Sequence, residues 1–484
     1  MHFSRKICRH RPEKRPIERD RVGGFKNSPQ VLTSGFRRLL IAVTLSAVTI
    51  AGLTVLPPVT VLGASGKLGH QSDPPEPGVK NGRWRRFRKE SVVGASQEES
   101  LSNKQRETMR QLEALGYLQG KHPAPGFSGV TTYDPNRAWS SLNLYVSGHK
   151  PEAILMDMKG NVLHKWHFDY RDALPQLSTK EFIVPWSRTY MYEDGDLLAI
   201  TISRALVRID RNSQLKWGYP GKPHHDLFVT VDDRIYVLTR EAMVIPSLHK
   251  TEPVQDDFVE ILDSDGNPIN RISILECFQN SPYYWPLVQN IRERMAYRLM
   301  SGAKYPGDIF HTNAIEVFDG SHEKKSPIFR KGNLLVSLRE PGIVAVIEPE
   351  TEAVVWATSG MWHRQHDPVL LENGRMLIFD NRGHQGYSRV IEFDPFTMNI
   401  HWTYKGNPPK NFFSKEVGKN QRLPNGNTLI VESDNGRALE VAPNGTIVWE
   451  FVNPHRAGEN GEFIATLFDM VRIPRDWDLG WLEN

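Results

Sequence analysis

The chain has 484 residues, 39% hydrophobic content and a formal charge of +4, enough length for one large globular domain with appendages. The charge makes no case for nucleic acid, because the basic excess is concentrated in residues 1–38, at Arg5, Lys6, Arg9, Arg37 and Arg38 among others. The 12 Trp, 33 Pro and 37 Gly point to short strands joined by turns, and two cysteines exclude a disulfide framework.

Residues 1–38 read as a basic cytosolic tail. From Leu39 to Ala64 there is no charged residue, and about 20 helical residues span a bilayer's hydrocarbon core. Segment 39–62 is therefore expected to be a transmembrane anchor or signal segment. The basic flank sets the N-terminus in the cytosol and the remainder on the periplasmic, extracytoplasmic side. A cleaved signal ending near Val61–Ala64 is the competing reading. Residues 63–120 read as a linker rich in Pro, Gly and Arg, followed by an amphipathic helix over about 96–116 with Leu101, Met109, Leu112 and Leu115 on one stripe. Cys8 and Cys277 fall on opposite sides of the membrane in this topology, and Cys277 reads as a small buried apolar residue.

Residues 121–484 carry a repeat of period-two strands. One strand recurs six times, at Ala153–Asp157, Leu206–Asp210, Phe258–Leu262, Val344–Glu348, Arg389–Phe393 and Ala438–Ala442. In five copies a Trp follows on the next strand: Trp166, Trp217, Trp356, Trp402 and Trp449. Those indoles are expected to wedge between repeats. A partner strand precedes most copies, and the first copy's partner is expected from the other end of the chain, near Val471–Pro474. Six four-stranded units fit an all-β fold, a six-bladed β-propeller, more readily than a sandwich or open solenoid. Residues 276–304 interrupt the third unit with helical spacing at Leu287, Ile291, Met295 and Leu299, a helical insertion in blade 3.

Three hairpins place a histidine at nearly one position. His366 lies eight residues before the turn glycine Gly374, His225 eight before Asp233 in the glycine slot, and His311 nine before Gly320. Antiparallel pairing sets the return strand's residues beside them. The same count from the turn reaches Asn381 and Arg382, Arg240 and, past an expanded turn ending at Gly332, Arg339. Ser187 and Gly418 fill the slot in two other copies. A ring closure would gather these side chains at one end of its channel. One His-Asp pair at a strand start is ordinarily a local hydrogen bond; three in register with arginines opposite form a working site. Three imidazoles suit either a metal with an open position or nucleophilic attack on a tetrahedral anionic group. The arginines favour the second, because a guanidinium repels a divalent cation and matches sulfate or phosphate oxygens. No metal or cofactor is expected. A His-ligated lyase or hydrolase and a non-enzymatic envelope scaffold are the alternatives.

Gln-His-Asp (365–367), Asn-Gly-Arg-Met-Leu-Ile-Phe-Asp-Asn (373–381), His-His-Asp (224–226), His311-Thr-Asn313 and Pro-Asn-Gly-Asn-Thr-Leu-Ile (424–430) together resemble the bacterial arylsulfotransferases over roughly residues 121–475. The resemblance implies a six-bladed propeller moving a sulfuryl group from a phenolic sulfate to a phenolic acceptor without a nucleotide donor. It implies His366 as the histidine that becomes sulfated, with His225, His311 and Arg339 binding the sulfuryl and bridging oxygens. Asn313, Arg240, Asn381 and Arg382 are expected nearby, and Trp362 and Tyr387 are candidate aromatic walls or, equally, packing residues. The disulfide that some members carry cannot form here.

Overall fold

The computed structural model describes residues 102–107, 120–177, 184–303, 307–383, 386–458 and 460–483, all within the second of two compact units, Lys80–Asn484. The basic tail, segment 39–62 and most of the expected 96–116 helix lie outside the described residues; positions 103–107 are helical. Among the described residues no helix is long and apolar enough to cross a membrane.

Six antiparallel sheets dominate. Sheet I joins the C-terminal strand Leu467–Arg472 to Asn143–Ser147, Glu152–Met156 and Val162–His167. Sheet II runs Trp186–Met191, Leu197–Thr201, Ala205–Ile209 and Leu215–Tyr219; sheet III runs Pro223–Val229, Ile235–Met243, Val254–Leu262 and Pro268–Ser273. Sheet IV comprises Thr312–Val317, Leu334–Leu338, Ile343–Glu348 and Ala353–Ser359; sheet V comprises His366–Leu370, Met376–Asp380, Arg389–Phe393 and Ile400–Tyr404. Sheet VI has Lys419–Arg422, Thr428–Glu432, Arg437–Val441 and Ile447–Val452, and gains Gly129–Tyr133 from the N-terminal side. The expected recurrent strand is the third strand of every sheet. The expected closing strand is found too, because Val471 pairs with Leu144.

Burial shows how the sheets associate. Six hydrophobic clusters fill the six gaps I–II, II–III, III–IV, IV–V, V–VI and VI–I, so the order of sheets is cyclic and the arrangement propeller-like. The Trp residues bridge the gaps. Trp166, Trp217, Trp402 and Trp449 donate their indole N–H to carbonyls of Gly195, Ser264, Pro443 and Met158, each on the following sheet. An aromatic body with one polar tip suits such a seam, where burying the ring stabilises by roughly 1.5–3 kcal/mol and the N–H still finds an acceptor.

The insertion of the third unit is two helices, α1 (Ile274–Gln279) and α2 (Tyr284–Met300), so the fold is mostly β. Ser273 caps α1 by accepting from the Glu276 amide. The spacing read from sequence faces inward: Leu287, Ile291 and Met295 are buried against Phe278, Ile309 and Phe310 between sheets III and IV, and Leu299 packs at their edge. Cys277 lies in the same cluster, fully buried, its thiol pushed up to about 12 by burial.

Candidate active site at the strand starts of sheets III, IV and V

The first strands of sheets III, IV and V are named β1 (Pro223–Val229), β2 (Thr312–Val317) and β3 (His366–Leu370). Each carries a register shift at or just after its histidine: between Pro223 and Leu227, Thr312 and Ala314 (His311 immediately precedes this strand), and His366 and Val369. Each also has a left-handed residue there, with φ of 55° at His225, 51° at His311 and 52° at Asp367. A non-glycine residue in this conformation costs about 1–2 kcal/mol, and a bulge re-aims side chains that a regular pleat would send elsewhere. Three such distortions at one end of neighbouring strands gather the imidazoles. At Gly418, one of the two slots without histidine, a Cβ would lie 2.6 Å from the Phe379 ring, which leaves no room for a side chain.

Two hydrogen-bonded groups result. In the first, His311 Nδ1 meets Asp308 Oδ2 at 2.7 Å, His311 Nε2 meets His225 Nε2 at 3.0 Å, and His225 Nδ1 meets His224 Nδ1 at 2.7 Å. One assignment of neutral tautomers satisfies all three contacts: Asp308 accepts from His311 Nδ1–H, His311 Nε2 accepts from His225 Nε2–H, and His225 Nδ1 accepts from His224 Nδ1–H. Burial, His311 and His224 hold His225 well below the usual imidazole range; burial and Arg240 do the same to His224. Burial alone would raise Asp308, but the neighbouring His311, Arg298 and Arg240 draw it well below the carboxylate range.

The second group fixes His366. Asn381 donates its amide N–H groups to the carbonyls of Ser414 (2.8 Å) and Val417 (3.1 Å), which leaves its Oδ1 facing His366 Nδ1 at 2.7 Å. An acceptor there requires the proton on Nδ1, which also points at the Arg364 carbonyl at 3.1 Å. Nε2 is then the lone-pair nitrogen, and among the described residues it is buried without a hydrogen-bond partner. Burial and the Arg339 guanidinium push His366 well below the ordinary imidazole range, against the opposing Asn381 bond. The ring stays neutral and basic at one nitrogen.

Arg339 arrives as the turn count requires, its amide donating to the His311 carbonyl at 3.3 Å. Its guanidinium donates to Glu340 at 2.6 Å and to Glu416. Arg364 stands 3.3 Å from Glu340 and 3.5 Å from Glu416, and Arg382 stands 3.4 Å from Glu416. Arg298 of α2 reaches Glu340 at 3.7 Å. So four guanidiniums surround two carboxylates, and crowding tells on Arg364: burial and Arg339 lower it to about 10.

The remaining expected residues divide. Arg240 is buried, donates to Ser203, and acts on His224 and His225 through its charge. Asn313 donates to the Gln365 carbonyl at 2.8 Å and steadies the segment before His366. Trp362 belongs to the core between sheets IV and V: it is buried against Phe393, with its N–H on the Gly342 carbonyl at 3.1 Å, so it supplies packing and no open wall. Tyr387 is half-buried on the loop after Asn381. Asp308, Glu340, Glu416 and Arg364 were not singled out from sequence. Glu340 had a signal, since Arg-Glu recurs at the same count from the turn in sheet III (Arg240-Glu241, within the second strand) and in sheet IV (Arg339-Glu340, directly after it); the loop residue Glu416 had none.

Among the described residues, two sets could offer ligands to a metal, Asp308–His311–Glu340 and His149–Glu152–His455, each with donor atoms within 4.8 Å of one another. In the first, a cation would enter among Arg298, Arg339 and Arg364, all close to Glu340. In the second, His149 already bridges Ser147 (2.7 Å) and Glu152 (2.9 Å) and stacks on His455.

A propeller-like protein with a neutral, tautomer-fixed imidazole beside guanidiniums defines a class suited to transferring an anionic group. A family model described as arylsulfotransferase (ASST) matches residues 191–454, more than half the chain and all of this site, and the chain belongs to that family of sulfotransferases. No curated protein matches it. Among solved structures it is similar to a protein of unknown function from Bacteroides caccae (13% identity, 68% of this chain and 98% of that one, TM-score 0.44). It is also similar to virginiamycin B lyase from Staphylococcus aureus (9% identity, 56% and 71%, TM-score 0.34) and to the Dos1 propeller (10% identity, 68% and 77%, TM-score 0.35).

Proposed function

We propose that the protein moves a sulfuryl group from a phenolic sulfate ester to a phenolic acceptor through a sulfohistidine at His366, within a six-bladed propeller. The observation that carries this reading is the unpartnered, buried Nε2 of His366, whose lone pair is fixed by Asn381. Nε2 attacks sulfur, the sulfur–oxygen bond breaks, and the electron pair leaves on the phenolate. Arg339 stabilises the charge on the equatorial oxygens, where a forked cation matches them best. His311 carries the proton for the departing phenolate on Nε2, in the form where Asp308 holds its Nδ1–H and both nitrogens are protonated; giving it up returns the ring to the neutral arrangement above, whose Nε2 later takes the acceptor's proton. It is the more exposed member of its histidine pair, and Asp308 orients its ring. Acceptor oxygen then attacks sulfur and the nitrogen–sulfur bond breaks, restoring neutral His366.

Anchoring through residues 39–62, with this domain on the extracytoplasmic side, belongs to the same proposal and is supported by the uncharged stretch behind a basic flank. Incubation with 4-nitrophenyl sulfate, followed by mass analysis of the His366 peptide, tests the chemistry. An adduct of one sulfuryl group is expected, with nitrophenol released when a phenol is added. Absence of both across a range of phenols sinks the mechanism.

A further inference from the structure

Glu416 sits on the loop leading into Lys419–Arg422, with its carboxylate among Arg339, Arg364 and Arg382. The loop backbone is pinned. Asn381 holds the carbonyls of Ser414 and Val417, and Asp434 accepts from the amides of Lys415 (2.6 Å) and Glu416 (3.1 Å). The Glu416 side chain is the solvent-facing member of the group, 33% exposed while Arg339 and Glu340 are 5% and 6%. The Arg339–Glu340 pair is thus permanent architecture. The second arm of Arg339, the arm available to a substrate oxyanion, is closed by a carboxylate that a side-chain rotation would carry to solvent.

We infer that Glu416 is a built-in competitor: in the substrate-free protein its carboxylate fills the oxyanion site formed by Arg339, Arg364 and Arg382, and it swings out when an anionic substrate group enters. The inference rests on the proposed transfer only for the identity of that group, the sulfuryl oxygens of the donor. Its physical basis is that an internal ligand reduces apparent affinity by the fraction of time it occupies the site. With Glu416 gone, the four guanidiniums and Lys415 keep one carboxylate, Glu340, between them, and the guanidinium forks are open to an added tetrahedral anion. Glu416 acts through Arg339, so it is a positioning and specificity residue.

The test is titration of the full chain with sodium sulfate, followed by calorimetry at constant ionic strength, for wild type, Glu416→Gln and Glu416→Asp. Glu416→Gln, nearly isosteric and uncharged, should bind sulfate on the order of tenfold tighter, the worth of about one charge-assisted hydrogen bond. Glu416→Asp, which keeps the charge but shortens its reach, should fall between. In turnover, the donor KM of Glu416→Gln should drop while kcat does not rise. Equal or weaker sulfate binding by Glu416→Gln, or no binding by any of the three proteins, overturns the inference and leaves Glu416 as a brace for Arg339. A brace, when removed, never increases affinity. If sulfate binds tighter to the variant yet no protein transfers sulfuryl from 4-nitrophenyl sulfate, the competitor stands and the transfer reading falls.

Discussion

Two clusters of buried charge stand at the same end of the ring, and they differ in how they are closed. On the axis, Arg188 of sheet II meets Asp226 (2.8 Å) and Asp469 (2.7 Å), while Lys419 of sheet VI meets Asp367 (3.0 Å) and Asp226 (3.6 Å). Two cations tie together the first strands of five sheets. Beside them, the histidine–arginine group leaves Nε2 of His366 without a partner and one carboxylate, Glu416, open to solvent. Asp226 and Asp367 directly follow His225 and His366, so adjacent residues on each of two distorted strands serve the two clusters. Buried charges that complete one another hold the first strands in register. Chemistry lies where the same strands leave an atom uncommitted.

That contrast breaks if the two clusters respond alike to mutation. His366→Asn should lower sulfuryl transfer by roughly 10⁴-fold or more, the scale for loss of a nucleophile, while the melting temperature at pH 7.5 stays near wild type. Turnover of 4-nitrophenyl sulfate and thermal unfolding measure the two sides. Lys419→Met should do the reverse. It leaves Asp226, Asp367 and Asp469 facing Arg188 alone, and breaking a buried pair costs about 3–5 kcal/mol, visible as a shifted urea midpoint. Unchanged stability in Lys419→Met would dissolve the distinction. A third variant tests the link that fixes the nucleophile. Asn381→Ala removes the nearer of the two acceptors that hold the proton on Nδ1, and loss of such an orienting partner lowers kcat by roughly 10- to 100-fold, with little change in KM.

The residues legible from sequence are those whose positions propagate by register. Period-two alternation and turn residues fixed the third strands, and a count from Gly374, Asp233 and Gly332 placed His366, Arg240 and Arg339 at one end. Asp233 stands in for glycine at φ 58°, which a short polar side chain tolerates. The insertion was legible because its apolar stripe has helical period. Glu416 and Asp308 escaped because they sit on loops, where no periodicity relates sequence distance to place. Trp362 was left as a wall or packing because it stands four residues before the strand of sheet V begins to pair, with no alternation to say that its ring turns into the seam with sheet IV. The unpartnered Nε2 was beyond sequence altogether, since it depends on which way the Asn381 amide faces.

The smallest expected effect concerns pH. His366 titrates in the folded protein well below its ordinary value, through burial and Arg339. In the unfolded chain an imidazole takes up its proton near pH 6.5. The folded pKa is depressed, so the contribution of His366 to stability is present above pH 6.5 and is lost as pH falls toward the folded value. The loss is up to about 1.4 kcal/mol per pH unit. Asn does not titrate, so His366→Asn should match wild type at pH 7.5 and become the more stable protein by pH 5, in parallel urea titrations. Wild-type kcat/KM should correspondingly show no acid limb near 6.5 from the nucleophile, since the neutral ring persists below it. Arg339→Gln should restore part of that limb. Without the guanidinium the folded pKa rises, the ring protonates at higher pH, and the lone pair on Nε2 is lost sooner. If wild type and His366→Asn lose stability in parallel between pH 7.5 and 5, His366 is not held neutral, and the open side of the comparison loses its nucleophile.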